Sequence, residues 1–151
     1  LEADGAEVIL TRRTDTVLDL ATRLRLADSV EAEVLVSIHN NALPDGVNPF
    51  TNNGSSVFYN HPRSLPLARA LQAALVRHLG LRDLGAARGD LALTRPTWMP
   101  AVLTEGLFMM LPEQEAALRS PAGQQAYAHA VRDGLLAYLQ RVAAEPGADV
   151  P

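Results

Sequence analysis

The chain has 151 residues, a hydrophobic share of 48%, a charged share of 20% and a formal net charge of −4. That length supports one domain with a real core, and the acidic balance without any long basic run disfavours nucleic-acid binding, since phosphate contacts need clustered cations. No apolar stretch approaches the roughly 20 residues that span a bilayer, and the lack of cysteine excludes disulfides, thiolate metal sites and a cysteine nucleophile.

The opening "LEADGAEVILTR" reads as the last turn of a helix, a stop at Gly5 and a short strand over Val8 to Leu10. The chain is therefore expected to begin inside a helix, with sequence upstream of Leu1. In "DTVLDLATRLRLADSV", Leu20, Leu24 and Ala27 recur at helical spacing, with Leu18 and Ala21 beside them. Asp15 or Thr16 is expected to cap this helix, and Asp19 to lie in its first turn. Glu33 to Ile38 form an apolar run without polar alternation, as in strands buried on both faces of a parallel sheet. The run stops at His39.

Residues 40–54 are rich in Asn, Pro and Gly and read as one long loop, a length that is often functional in compact domains. Ser55 to Tyr59 resume a strand. Ser64 then caps a helix that admits Pro66 in its first turn, carries the stripe Leu67, Leu71, Leu75 and Leu79, and ends at Gly80. "RDLGAARGD" reads as irregular, and its "RGD" as a chance three-residue match. "LALTR" is expected to be a short strand, and Ala101 to Thr104 another, ending at Glu105. Two helices close the chain, Pro112 to Arg119 and Pro121 to about Gln140, the second capped by Ser120 with Pro121 at its first position. The reading is one α/β domain over residues 1–141, with a mostly parallel central sheet flanked by helices on both faces, and a tail or linker over 142–151.

Two residues with useful chemistry fall at the ends of apolar strands, where open α/β sheets build their sites. They are His39 and Glu105. A neutral imidazole is a metal ligand, and a carboxylate beside an activated water is a general base. If the strands are parallel, both side chains share one sheet edge, within about 8 Å of each other as joint contact with one water requires. His61, just past a strand, is a second and weaker metal candidate, and His78 and His129 read as helix residues. Ser37 and Ser55 lie in no nucleophile elbow, which argues against an acyl-enzyme.

Taken together and in order, these segments resemble the zinc-dependent N-acetylmuramoyl-L-alanine amidases of the Amidase_3 type. "VILTRRTD" is similar to the family's strand and "TR..D" segment, and "LATRLRLADSVEAEVLVSIHNNA" to "L..R...AN...ADLFVSIHANA". "GSSVFY" resembles "GSEVYY", "MPAVLTEGLF" resembles "PAVLVExGF", and "PEQEAAL" with the closing helix also fits. The likeness runs over residues 5 to 140. "TEGLFMML" stands where the family has "VExGFxSN".

The resemblance implies a peptidoglycan hydrolase that cuts the amide between N-acetylmuramic acid and L-alanine of the stem peptide. It implies His39 as a zinc ligand and Glu105 as the catalytic carboxylate. Two further zinc ligands, a His in "DPGHGG" and a Glu after it, have no counterpart here and are expected upstream of residue 1. This chain alone is then expected to bind zinc poorly and to be inactive. An exposed sheet edge is expected to be covered by a missing N-terminal segment or a neighbouring chain. Loop 40–54 is expected to border the site, with Asn41 as a substrate hydrogen-bonding residue, although Asn40 and Asn41 equally suit a turn. Peptidoglycan is the expected partner, with no nucleic acid and no membrane span, and the setting is extracytoplasmic with a signal peptide upstream. The alternative function is a degenerate, non-catalytic domain that binds peptidoglycan or a partner. A different zinc hydrolase, such as a carboxypeptidase, would lack the "SIHNNA" and "TEG" pairing.

Overall fold

A computed structural model describes residues 1–144. Four strands form one sheet in the order β1-β4-β2-β3, with β1 at Leu35–Asn41, β2 at Ser55–Tyr59, β3 at Asp83–Arg88 and β4 at Ala101–Phe108. β1 pairs with β4 in parallel and β2 with β3 in parallel, while β2 and β4 run antiparallel. The sheet is mixed and mostly parallel, as the strand and helix alternation implies. Four helices accompany it: α1 at Leu20–Ser29, α2 at Leu65–Leu79, α3 at Pro112–Arg119 and α4 at Pro121–Ala144.

The core follows from the stripes in the sequence. Leu67, Leu71 and Leu75 of α2 are fully buried against Ala130, Val131 and Leu135 of α4, with Val57 and Val102 of the sheet beneath them. Val57 and Val102 lie on one sheet face by strand alternation and register, and Phe58 and Leu103 on the other. That other face receives the turn at Ala92–Thr94, where Leu93 is buried, and α1 meets this turn rather than the α2/α4 core. α2 and α4 thus cover one face, and the Ala92–Thr94 turn with α1 against it lies over the other. Gly134 is where α4 approaches α2 most closely, because a Cβ there would stand 2.7 Å from the Leu71 Cα.

Several expectations are corrected. Val8–Leu10 form no strand. Ile9 and Leu10 are about half exposed, so nothing pairs or buries them. The opening is a single 3-10 turn, Glu2–Asp4, closed by Gly5 at φ 91° as its left-handed cap. α1 is capped by Asp19 and not by Asp15 or Thr16. The Asp19 carboxylate accepts from the Thr22 N–H at 2.8 Å and from the Thr22 hydroxyl at 2.6 Å, a double hold that fixes the helix start. "DLGAAR", Asp83–Arg88, is strand β3, and the "ALT" of "LALTR", Ala92–Thr94, is the 3-10 turn, where the Thr94 hydroxyl donates to the Gly89 carbonyl at 2.8 Å and turns the backbone away from extension. The Ser64 hydroxyl does not cap α2 but accepts from Ala101 N–H at 3.0 Å. Ser120 caps α4 as expected, accepting from Gly123 N–H at 3.0 Å. α4 runs to Ala144, so residues 142–144 belong to it and the rest of the expected tail lies outside the described residues.

Candidate active site

β1 and β4 place the two chemical residues. Both strands run past the ends assigned to them, so His39 and Glu105 sit inside β1 and β4 rather than beyond their tips. β1 is also an edge strand, not one buried on both faces, and its Ile38 is 58% exposed. The juxtaposition itself holds. His39 and Glu105 are direct register partners on adjacent parallel strands, which stand about 4.8 Å apart, so their side chains leave the same face side by side. Ser56 of β2 pairs with Glu105 from the other side, completing a row of His39, Glu105 and Ser56 across three strands.

The electrostatics differ at the two positions. Burial, and then the nearby Arg23 and Arg12 guanidinium groups, hold the His39 imidazole below its ordinary value. At neutral pH it is the uncharged ring, the form that binds metals. Burial alone raises the Glu105 carboxyl. One of its oxygens, Oε2, is buried with no hydrogen-bond partner. A carboxylate left unsatisfied in this way is unfavourable unless something binds it, and raised carboxyl pKa values mark groups that take up protons in catalysis.

The β1/β4 ladder is irregular just after this pair. His39 pairs with Glu105, but Asn41 pairs with Phe108, so a bulge lies between. Asn41 ends β1, and its carbonyl accepts from Met109 N–H at 3.1 Å. Asn40, not Asn41, carries the buried side-chain oxygen without a partner. The irregular stretch after β1 spans residues 42–54 and returns to the sheet at Ser55, so both of its ends flank the Glu105 region. Its far end is tied down by Gln114, whose amide donates to Asn53 at 3.2 Å while its oxygen accepts from Phe108 N–H at 2.7 Å.

Beneath the bulge lies a residue that sequence reasoning missed. Tyr127 of α4 is buried, and its hydroxyl lies within hydrogen-bonding distance of His39 O at 2.7 Å, Thr104 Oγ1 at 2.9 Å and Gly106 N at 3.0 Å. Burial pushes its phenol up to about 12, so it stays protonated. An aromatic at a core position of an amphipathic helix gives no signal of such a role.

The other candidates fall elsewhere. His61 accepts from Arg63 N–H at 3.4 Å in the turn before α2, and His78 bonds Asp133 at 2.9 Å. Ser55 is buried and donates to the Gly106 carbonyl at 2.8 Å, a structural bond. His39 and Glu105 offer one nitrogen donor and an adjacent free carboxylate oxygen. Among the described residues no group of three or more His, Cys, Asp or Glu converges to hold an ion. A catalytic zinc takes three protein ligands, so these residues by themselves do not fill its shell.

Residues 1–137 match the N-acetylmuramoyl-L-alanine amidase family. The chain is 32% identical over 144 residues to N-acetylmuramoyl-L-alanine amidase LytC of Bacillus subtilis, covering 93% of this chain and 28% of LytC. It is 30% identical over 139 residues to probable cell wall amidase LytH of Staphylococcus aureus, covering 92% of this chain and 45% of LytH. The catalytic domain of CwlV, an N-acetylmuramoyl-L-alanine amidase from Bacillus (Paenibacillus) polymyxa var. colistinus, superposes with a TM-score of 0.80 at 34% identity, covering 89% of this chain and 73% of that one. The chain thus spans less than half the length of either curated relative.

Proposed function

The chain belongs to the N-acetylmuramoyl-L-alanine amidase family, and from that premise we propose that the protein hydrolyses the amide joining N-acetylmuramic acid to L-alanine in peptidoglycan. The observation that carries the reading is the in-register pair His39 and Glu105, with the Glu105 Oε2 buried and unpartnered. Hydrolysis of this amide adds water across the C–N bond and yields the lactyl carboxylate and the free α-amine of alanine. The attacking water must lose a proton and the leaving nitrogen must gain one. Glu105 does both, accepting the first proton and delivering it to the amine. Its raised pKa favours that exchange, since it makes the carboxylate a stronger base toward the water than a surface carboxylate is.

His39 would be one ligand of a zinc ion, which would need further ligands beyond the described residues, and a zinc so held would supply Lewis acidity to the scissile carbonyl. Arg12 and Arg23 favour the neutral imidazole that such ligation needs. Asn41 and loop 42–54 orient the substrate beside the pair. The substrate places the protein outside the cytoplasm, in line with a relative named as a cell wall amidase. No helix among the described residues is long and apolar enough to cross a membrane.

The test uses the full-length protein on purified peptidoglycan, with release of new N-terminal alanine as the readout. Wild type releases it and Glu105→Gln does not. Peptidoglycan binding without release by wild type would instead establish the non-catalytic binding domain.

A further inference from the structure

The geometry points to Tyr127 as the positioning residue of this site: its hydroxyl is inserted into the β1/β4 ladder between Gly106 and His39 and so sets the spacing of His39 and Glu105. The inference rests on the proposed amidase reading for its kinetic consequence, and on geometry alone for the relay.

In a regular parallel ladder, the residue after one member of a pair donates its N–H to the carbonyl of the other. For the pair His39 and Glu105 that donor is Gly106. Here the Gly106 N–H donates to the Tyr127 hydroxyl at 3.0 Å, and that hydroxyl donates to the His39 carbonyl at 2.7 Å. A phenol has one proton to give and two lone pairs. Its proton goes to His39, so Thr104 must donate the 2.9 Å bond between Thr104 Oγ1 and Tyr127 Oη. The Thr104 carbonyl, at 3.5 Å, is a longer second acceptor for that proton, and His39 at 2.7 Å is the nearer one.

Gly106 shows that the insertion is built in. A Cβ at that position would stand 2.4 Å from the Tyr127 Cζ and 2.8 Å from its oxygen, so only glycine leaves room for the phenol to reach the strand. The relay sits just before the register slips, between the His39–Glu105 and Asn41–Phe108 pairs. It joins the backbone of one chemical residue to the residue following the other. It reaches them from the α4 side, opposite to the face where His39 and Glu105 project, so Tyr127 touches no substrate.

The experiment substitutes Tyr127→Phe in the full-length protein, which keeps the ring and removes the relay. Turnover of peptidoglycan is expected to fall about 10- to 100-fold in kcat with KM unchanged, since small misplacement of reacting groups carries losses of that order. Exchange of the Gly106 amide is expected to accelerate roughly tenfold on loss of one hydrogen bond. Thr104→Val removes a buried hydroxyl but leaves the relay, and is expected to lower stability while keeping kcat. Wild-type kcat and Gly106 exchange in Tyr127→Phe would overturn the inference. So would an equal loss of kcat in Thr104→Val, because the hydroxyl would then act only through stability. The unsubstituted protein gives a direct reading: the Tyr127 hydroxyl proton should be visible by NMR with a cross-peak to the Gly106 amide, and its absence overturns the relay. If wild type releases no alanine, the amidase reading fails, while Gly106 exchange and the cross-peak still decide the relay.

Discussion

Gly134→Ala sets two effects of known size against each other. In the interior of α4, alanine is favoured over glycine by about 1 kcal/mol through backbone entropy alone. The added Cβ, however, would lie 2.7 Å from the Leu71 Cα, 2.9 Å from its Cδ2 and 3.2 Å from the Ala70 carbonyl oxygen. Carbon atoms rest about 3.5–4.0 Å apart, so the shortfall is roughly 1 Å. Two of the three obstructing atoms are backbone and cannot rotate away. α4 must therefore move off α2, and overpacking of this kind costs about 1–3 kcal/mol. The net expectation is destabilisation by up to about 2 kcal/mol, a fall in Tm of up to roughly 8 °C for a domain of this size. Urea and thermal unfolding followed by circular dichroism measure it. Activity should fall as well, because Tyr127 lies two helical turns earlier on α4 and shares its displacement. A rise in stability near the 1 kcal/mol of helix propensity would refute the close-packing argument.

Glu105→Gln should lower turnover by about 10²–10⁴-fold while retaining any bound zinc, measured by alanine release and metal analysis; near-normal turnover would place the base elsewhere, and loss of zinc would make Glu105 a ligand. His39→Ala should lower zinc content of the full-length protein by at least about tenfold in affinity, measured by chelator competition. The stability difference between Glu105→Gln and wild type should shift in favour of the variant as pH rises above 4.5. The folded pKa of Glu105 is raised, so wild type is fully stable below its unfolded value and loses that contribution as the buried group ionises. His39 has the opposite sense. Its folded pKa is lowered, so its contribution is complete above about pH 6.5 and is lost on acidification, which His39→Gln should flatten in unfolding curves at successive pH values.

What the sequence disclosed and what it hid divide along physical lines. β2, β4 and α2 were legible because each is an apolar run or stripe whose burial decides its structure; Val57, Leu67, Leu71, Leu75 and Val102 are all fully buried. The His39–Glu105 pairing was legible because both follow apolar runs that must lie side by side to be buried. β3 was hidden because it is an edge strand, held through its backbone and through Gln72, whose amide donates to the Ser55 carbonyl and to Asp83. Its Asp83 and Arg88 are exposed and its glycine sits at φ 86°, so neither alternation nor propensity marks it. Leu91 and Leu93 suggested a strand instead, but two apolar residues two apart fit a 3-10 turn equally well when a hydroxyl such as that of Thr94 is free to bond backward. Tyr127 was hidden for a third reason. Its role depends on a bulge in the β1/β4 register, and register is a property of the pair of strands, not of either segment.

The placement of Glu105 is also informative about what the fold sacrifices. A buried, unpartnered carboxylate oxygen weakens the folded state, and nothing in the α2/α4 core needs it, since that core lies on the opposite face. The same strand shows how readily the protein satisfies its other polar groups. Thr104 and Gly106 are both bonded to Tyr127, and Phe108 N–H to Gln114. Only the side chain facing away from this network, toward His39, is left open. Anything that binds the Glu105 carboxylate, be it a water, a metal-bound group or a substrate N–H, would recover the lost hydrogen bond and stabilise the fold in proportion to its occupancy. A strand that bonds Thr104, Gly106 and Phe108 yet leaves the Glu105 Oε2 buried and unpartnered beside the His39 register position is arranged for chemistry rather than for stability.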